Sequence, residues 1–76
     1  MTNFKIHYDD RIYTMFLESS QVNAETVEVK VIMYGTVYHI YKDKIANTWN
    51  NHIGKFELAK GLLSSVGTTL EEHLNI

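Results

Sequence analysis

Cysteine is absent from this sequence, so neither a disulfide nor a thiolate metal site can stabilise the fold. Runs of lysine or arginine are absent too, and the formal net charge is −2. This charge distribution argues against binding to duplex DNA or to an anionic membrane. The longest uninterrupted apolar run covers residues 31–34, which is far too short to cross a bilayer. No membrane partner is therefore predicted.

Motifs typical of export and catalysis are missing as well. The first ten residues, MTNFKIHYDD, lack the basic-then-apolar pattern of a signal peptide, which predicts a cytoplasmic protein. Neither a GxSxG elbow nor a glycine-rich phosphate motif occurs, and Ser64 and Ser65 have no histidine placed to activate them. The carboxylate pairs at 9–10 and 71–72 fit a turn and a solvated helical face. The sequence predicts a non-enzymatic protein that needs no cofactor.

The remaining features are those of one small globular domain. The chain has 76 residues, near the size at which a single hydrophobic core only just offsets chain entropy. Its apolar content of 45% is normal for a folded domain, and no repeat, linker or proline interrupts it. We therefore expect a single domain over residues 1–76. Small chains without disulfides or metals often gain stability by self-association.

The segment 54–75 has the periodicity of an amphipathic helix. At 100° per residue, one side of that helix carries Phe56, Ala59, Leu62, Leu63, Val66, Leu70 and Leu74. Gly67 lies beside this apolar stripe, where the missing Cβ lets a helix approach a sheet, whereas Gly61 lies on the polar side. We favour one helix, and two helices broken at Gly67 are the alternative because capping-box pairs follow that glycine.

Residues from about 3 to 49 show the period-2 alternation of β-strands. Predicted turns at 9–10, 34–35 and 43–44 and a loop at 19–25 separate these strands. Asn47, Asn50 and Asn51 leave open whether a fifth strand forms between Ile45 and Trp49. The predicted fold is α+β: an antiparallel β-meander of four to five strands with one C-terminal α-helix packed across one face.

The turn lengths, together with a pairing of Leu17 with Val27, predict the register of the whole sheet. Under the helix we expect Phe4, Ile6, Tyr8, Tyr13, Met15, Leu17, Val27, Val29, Val31, Met33, Tyr38, Ile40, Ile45 and Trp49. In this register, one row crosses all five strands through Ile6, Tyr13, Val31, Tyr38 and Trp49. An unbroken apolar row across all five strands supports the antiparallel meander.

The opposite sheet face carries more apolar side chains than a solvated face should. They are Ile12, Phe16, Ile32, Val37 and Tyr41, with Lys30 and His39 as a polar centre. Fully burying such a side chain contributes roughly 1.5–3 kcal/mol, which favours an interface. We predict a homodimer, or binding of another protein, through this face. The competing interpretation is that β-branched and aromatic residues simply favour strands and are often exposed.

Four histidines raise the question of a metal site. His7 and His39 share the predicted outer face but lie on strands one and four, about 14 Å apart at about 4.8 Å per strand. Zinc ligands must lie about 2 Å from the metal, so these two cannot share one ion. His52 falls in the loop before the helix, and His73 suits the last helical turn because a cation there complements the helix dipole. No metal site is predicted.

Binding of single-stranded nucleic acid is the alternative function. Aromatic and basic residues cluster along strands three and four: Lys30, Tyr34, Tyr38, His39, Tyr41, Lys42 and Lys44. Aromatics interleaved with lysine on an open sheet can stack bases and neutralise phosphates. The predicted register, however, points Tyr38 into the core and places Glu28 among the outward residues. Nucleic acid is therefore the disfavoured partner.

Two resemblances bear on these predictions. The run YHIYKDKIANTW followed by FELAKGLLSSVGTTLEEHL resembles small uncharacterised bacterial proteins, a resemblance that implies no activity. A β-meander closed by one helix is also similar to the repeat unit of the PUR family. That likeness implies dimerisation and single-stranded nucleic-acid binding, but the basic, aromatic sheet of such a binder is only half present here.

Overall fold

A computed structural model describes residues 2–76 as one antiparallel sheet and one helix. The elements are β1 (Thr2–Tyr8), β2 (Arg11–Val22), β3 (Thr26–Met33), β4 (Thr36–Asp43), β5 (Thr48–Asn51) and α1 (Lys60–Leu74). The strands lie in the order β1-β2-β3-β4-β5, and α1 packs against one sheet face with contacts to β1 and β5. The predicted α+β meander is confirmed, and the fifth strand forms. Within residues 2–76, α1 does not reach the length and hydropathy of a membrane span.

The core lies between the sheet and α1. Its buried members are Ile6, Met15, Val27, Val29, Val31, Met33, Ile40, Leu58, Leu62, Leu63, Val66 and Leu70. All seven strand residues in this set belong to the face predicted to lie under the helix. The turns at 9–10 and 34–35 are also as predicted, since Asp9, Asp10, Tyr34 and Gly35 all have positive φ, as a tight hairpin turn requires.

The connection between β2 and β3 is shorter than predicted. β2 continues to Val22, and Asn23 makes a tight turn by accepting hydrogen bonds from the backbone N–H groups of Glu25 and Thr26 at 3.0 and 2.8 Å. The loop predicted at 19–25 is therefore wrong. This side-chain-capped turn lets the polar residues before it pair with β3, which their low strand propensity did not suggest.

The register of the sheet differs from the predicted one because β2 continues to Val22 before it turns, because a bulge shifts β2 by one further residue, and because the β4–β5 turn is longer than predicted. Leu17 pairs with Val31 instead of Val27, and the pairing shifts by one residue between Leu17 and Ser19. Trp49 pairs with Lys42 rather than with Tyr38. The single row predicted across five strands is therefore wrong, although each strand presents its predicted face to the core. An extra residue in one strand is not visible in hydrophobic alternation.

The turn between β4 and β5 is longer than the predicted pair at 43–44. The Asp43 side chain accepts hydrogen bonds from the backbone N–H groups of Ile45 and Ala46, and Asn47 closes the turn at φ 60°. This turn leaves Ile45 88% exposed, so its predicted place in the core is wrong. β5 consequently begins at Thr48.

Helix α1 begins at Lys60, six residues later than predicted. Phe56, predicted on the apolar stripe, lies in the preceding loop and is 71% exposed, whereas Leu58 is buried beside the helix. The helix is continuous through Gly67, as favoured from the sequence. A Cβ at Gly67 would overlap the Trp49 indole, which confirms the predicted close approach to the sheet. Gly61, given no role by the sequence, meets the Tyr8 ring in the same way.

Candidate functional site

The seven predicted interface residues all lie on the sheet face opposite α1, but they form three groups. Phe16, Ile32 and Val37 are consecutive cross-strand partners on β2, β3 and β4. We call these three residues the apolar row. Each is half-buried, although no described element covers this face. The row is thus a continuous apolar strip at the centre of the sheet.

Ile12 does not join the apolar row. It pairs with His7 on β1, beyond the part of β2 that pairs with β3, and its side chain is exposed. Thr14 separates it from Phe16 and accepts a hydrogen bond from the Lys5 ammonium at 2.7 Å. This end of the outer face is therefore polar as well as apolar.

Lys30, His39 and Tyr41 lie toward the other end of the face. Lys30 pairs with His39, and Tyr41 pairs with Glu28. Tyr41 also packs against the ring of His52, with centroids 4.7 Å apart. The predicted polar centre is thus a border of the apolar row.

The His52–Glu28 pair was missed from the sequence. His52 Nε2 lies 2.6 Å from Glu28 Oε1, and both side chains are partly exposed. The His52 backbone N–H donates to the carbonyl oxygen of His39, which prolongs the β4–β5 ladder by one bond. No residue spacing signals this contact, because it depends on where β5 ends and on the register of β3 against β4.

A polar hollow of about 250 Å³ lies beside this pair. Its lining is formed by Ser19, Ser20, Gln21, Glu28, Val29, Lys30, His39 and His52. Within residues 2–76, no three histidine or carboxylate groups are arranged to hold a metal ion. The hollow contains neutral hydrogen-bond donors and acceptors together with one carboxylate and one ammonium group. Such a composition suits the polar rim of an interface.

The basic and aromatic cluster considered for nucleic acid is dispersed by the fold. Lys42 is 8% exposed, and its ammonium pairs with Glu71 at 3.3 Å on the helix side of the sheet. Tyr38 packs against the core, and Tyr34 lies exposed in the β3–β4 turn. Few of the basic and aromatic residues that were predicted to cluster with Lys30 therefore lie near it.

The edge of β4 is only half covered, which sequence reasoning also missed. β5 pairs with residues 40–43 of β4. Residues 36–39 have no paired strand on that side within the described part of the chain, apart from the His52–His39 backbone bond. Because backbone groups alternate along a strand, the N–H and C=O of Val37 point the same way as those of His39, away from β3. A groove of about 730 Å³ runs along this edge, lined by Gly35, Thr36, Val37, His39, Gly54, Lys55 and Phe56.

The far wall of this groove is a loop over residues 52–57 that is closed by one asparagine. Asn51 Oδ1 accepts from the Leu58 N–H at 2.9 Å, and Asn51 Nδ2 donates to the Leu58 carbonyl at 3.0 Å. Ile53 is 97% exposed at the loop tip, and Phe56 is exposed on its return. The loop is therefore fixed at its base while it presents two apolar side chains to solvent.

We expect Asn51→Ala to release this loop. The substitution removes two partly buried hydrogen bonds to Leu58, which should lower the free energy of unfolding by about 1–2 kcal/mol. Urea denaturation gives the stability change, and amide exchange at Leu58 reports the loosening. Asn50→Ala is the matched control, because the Asn50 amide reaches only the exposed Thr48 at 3.4–3.5 Å. Equal stability of the two variants would contradict the assigned role of Asn51.

Comparisons with protein-family models, with curated proteins and with solved structures find no match to this chain.

Proposed function

We propose that this protein is a small non-enzymatic interaction module that forms a homodimer through the sheet face opposite α1. The apolar row of Phe16, Ile32 and Val37 carries the proposal, because it joins three neighbouring strands at the centre of that face. Packing two such rows together removes them from water at a gain of about 25 cal/mol per Å² of apolar surface. A homodimer also supplies the extra stability that a chain of this size without disulfides needs.

The face has the area that a stable dimer needs. Five strands at about 4.8 Å and about 3.4 Å per residue along the eight-residue β3 give roughly 24 × 27 Å, or about 650 Å² of flat area. A standard interface buries about 800 Å² of accessible surface on each partner, and side-chain relief adds to the flat figure. One sheet face therefore matches one standard interface.

The charges on the face suit a symmetric interface. Lys5 and Lys30 lie on it together with Glu28, so both signs are present on one surface. In a two-fold dimer each patch meets its own copy, and only a patch with both signs can be self-complementary. The absence of cysteine fits the reducing cytoplasm, which is the location included in this proposal.

A charge substitution in the apolar row tests the proposal. We expect Ile32→Glu to raise the dimer dissociation constant at least about 100-fold, because an unpaired charge then lies in the buried centre of the interface on each partner. Sedimentation equilibrium measures the dissociation constant, and circular dichroism verifies that the fold is retained.

The matched control applies the same residue change outside the outer face. Ile45→Glu alters a side chain that is 88% exposed and should leave the dissociation constant unchanged. A wild-type protein that stays monomeric at about 1 mM overturns the homodimer. A dimer that survives the apolar-row substitution with its fold intact overturns this interface.

Single-stranded nucleic-acid binding is the second candidate. Phe16 and Tyr41 share the outer face with Lys30, which supplies stacking surface next to one positive charge. Glu28 lies beside them and lowers the local potential. Fluorescence anisotropy with labelled oligo(dT) and oligo(U) tests this candidate, which forecasts affinity at low salt that falls steeply as salt increases. Absence of binding at low salt removes it.

A further inference from the structure

The two edges of the sheet are protected to different degrees. The β1 edge carries Lys5, and charged residues are a common device that stops an edge strand from pairing with another chain. Residues 36–39 of β4, with the sequence TVYH, contain no lysine, carboxylate or proline. The backbone N–H and C=O of Val37 point out along this stretch and lack a strand partner within residues 2–76. Val37 is therefore the residue of this stretch whose backbone is open to an added strand, since the His39 carbonyl already accepts from the His52 N–H.

The groove along this edge lies between β4 and the loop that leads to α1. Its far wall, residues 54–56, belongs to the loop whose base is closed by the two hydrogen bonds between Asn51 and Leu58. Val37 on one wall and Phe56 on the other provide apolar surface, and Phe56 is largely exposed to solvent. An added strand would lie about 4.8 Å from β4, between these walls.

The charge of the groove selects the chemistry of its occupant. Lys55 supplies a formal positive charge, and no carboxylate belongs to the described lining. The whole chain carries a net charge of −2, so this groove differs in sign from the chain as a whole. A second copy of this chain has its net negative charge spread over the whole surface. An acidic peptide, in contrast, places a carboxylate directly next to the Lys55 ammonium.

We propose that this groove binds an extended acidic and apolar segment of a partner protein, which adds as a strand to residues 36–39 of β4. Main-chain hydrogen bonds to Val37 supply affinity, and alternate side chains supply specificity. An apolar side chain of the segment packs against Phe56, while a carboxylate pairs with Lys55. This site goes beyond the proposed homodimer: the homodimer buries the Val37 side chain on the sheet face, whereas the added strand bonds the Val37 backbone at the edge.

A synthetic peptide with alternating valine and glutamate, fluorescein-EVEVEV-amide, is the probe. We expect binding in fluorescence anisotropy, and binding about 10-fold weaker for the peptide with lysine in place of glutamate. A strand added at an edge turns only every second amide toward its neighbour. N-methylation of one alternate set of peptide amides should therefore weaken binding about 10-fold or more, while methylation of the other set has little effect.

Protein variants locate the site. Lys55→Glu should weaken binding of the EVEVEV peptide about 10-fold and improve binding of its lysine counterpart. Lys44→Glu, an equal charge change in the exposed β4–β5 turn, should change neither. In amide exchange, the Val37 N–H should exchange rapidly in the free protein and become protected at least about 10-fold on peptide addition.

Several results would overturn the proposal. These are no binding up to about 1 mM peptide, equal effects of the two methylation patterns, or indifference to Lys55→Glu. A Val37 amide that is already protected in the peptide-free protein, together with dissociation of a dimer by Lys55→Glu, would assign the groove to a second copy instead. The homodimer test depends on Ile32 in the apolar row and the peptide test on Lys55, so either proposal can fail without the other.

Discussion

Gly67→Ala should destabilise this protein by about 2–3 kcal/mol, opposite in sign to the effect of helix propensity. Alanine in a helix interior is normally more stable than glycine by about 1 kcal/mol. Here the new Cβ would lie closer than 3 Å to three atoms of the Trp49 indole. The ring cannot move aside cheaply, because its Nε1–H donates to Glu71 Oε2 at 2.8 Å. Overpacking of this kind costs about 1–3 kcal/mol, and displacing the ring adds the loss of a hydrogen bond.

Gly61→Ala is the matched control in the same helix. Its Cβ would meet the hydroxyl end of the Tyr8 ring, which is the far end of a side chain at the end of β1. A small rotation of Tyr8 relieves the contact, so we expect a stability within about 1 kcal/mol of the original protein. Urea denaturation measures both variants. If the Gly67→Ala variant is at least as stable as the original protein, Trp49 does not fix the distance between α1 and the sheet.

The contrast between the two glycines shows how far the sequence predicts this fold. The apolar stripe placed Gly67 against the sheet correctly, because helical phase alone decides which residues face the core. Phase placed Gly61 on the polar side, yet Gly61 contacts Tyr8 because β1, at the edge of the sheet, lies along the side of α1, where Phe4 also contacts His73. Contacts at the rim of a packed face depend on element lengths and positions, which periodicity does not contain.

Irregular backbone accounts for the other differences. The bulge after Leu17, the Asp43 turn and the loop tied by Asn51 each add or remove residues from an element without breaking the hydrophobic pattern. Each depends on a side chain that bonds to nearby backbone or on an unpaired residue. The outer-face side chains were predicted because alternation survives these events. The open β4 edge was not, because it follows from where β5 ends.

Among side-chain truncations, we expect the largest loss of folding stability at Glu71, which joins α1 to two strands. Its Oε2 accepts from Trp49 Nε1 at 2.8 Å and lies 3.3 Å from Lys42 Nζ. Lys42 and Trp49 are cross-strand partners on β4 and β5, so one carboxylate oxygen ties both strands to the helix. The sequence pattern placed Glu71 on a solvated helical face beside Glu72, and this interpretation is wrong. Only Glu72 is exposed in that way.

We expect Glu71→Ala to lower the free energy of unfolding by about 3 kcal/mol. Removing one partner of a buried ion pair typically costs 3–5 kcal/mol, because the other charge stays buried without compensation. The Lys42 side chain is 10% exposed, but the Glu71 side chain is 33% exposed, so solvent screening places the estimate at the lower end. Glu72→Ala, one residue along the helix, should change stability by no more than about 0.5 kcal/mol. Urea denaturation of both variants gives the comparison.

Two further variants separate charge from hydrogen bonding at this junction. Glu71→Gln keeps an acceptor for Trp49 but removes the charge that Lys42 faces, so its loss should be intermediate, at about 1–2 kcal/mol. Replacing both charges together, Lys42→Met with Glu71→Gln, should recover most of the stability, because no unpaired charge remains and Trp49 keeps an acceptor. If Glu71→Ala and Glu72→Ala are equally stable, the carboxylate contributes nothing to the docking of α1. In that case the close approach at Gly67 would be maintained by apolar packing alone.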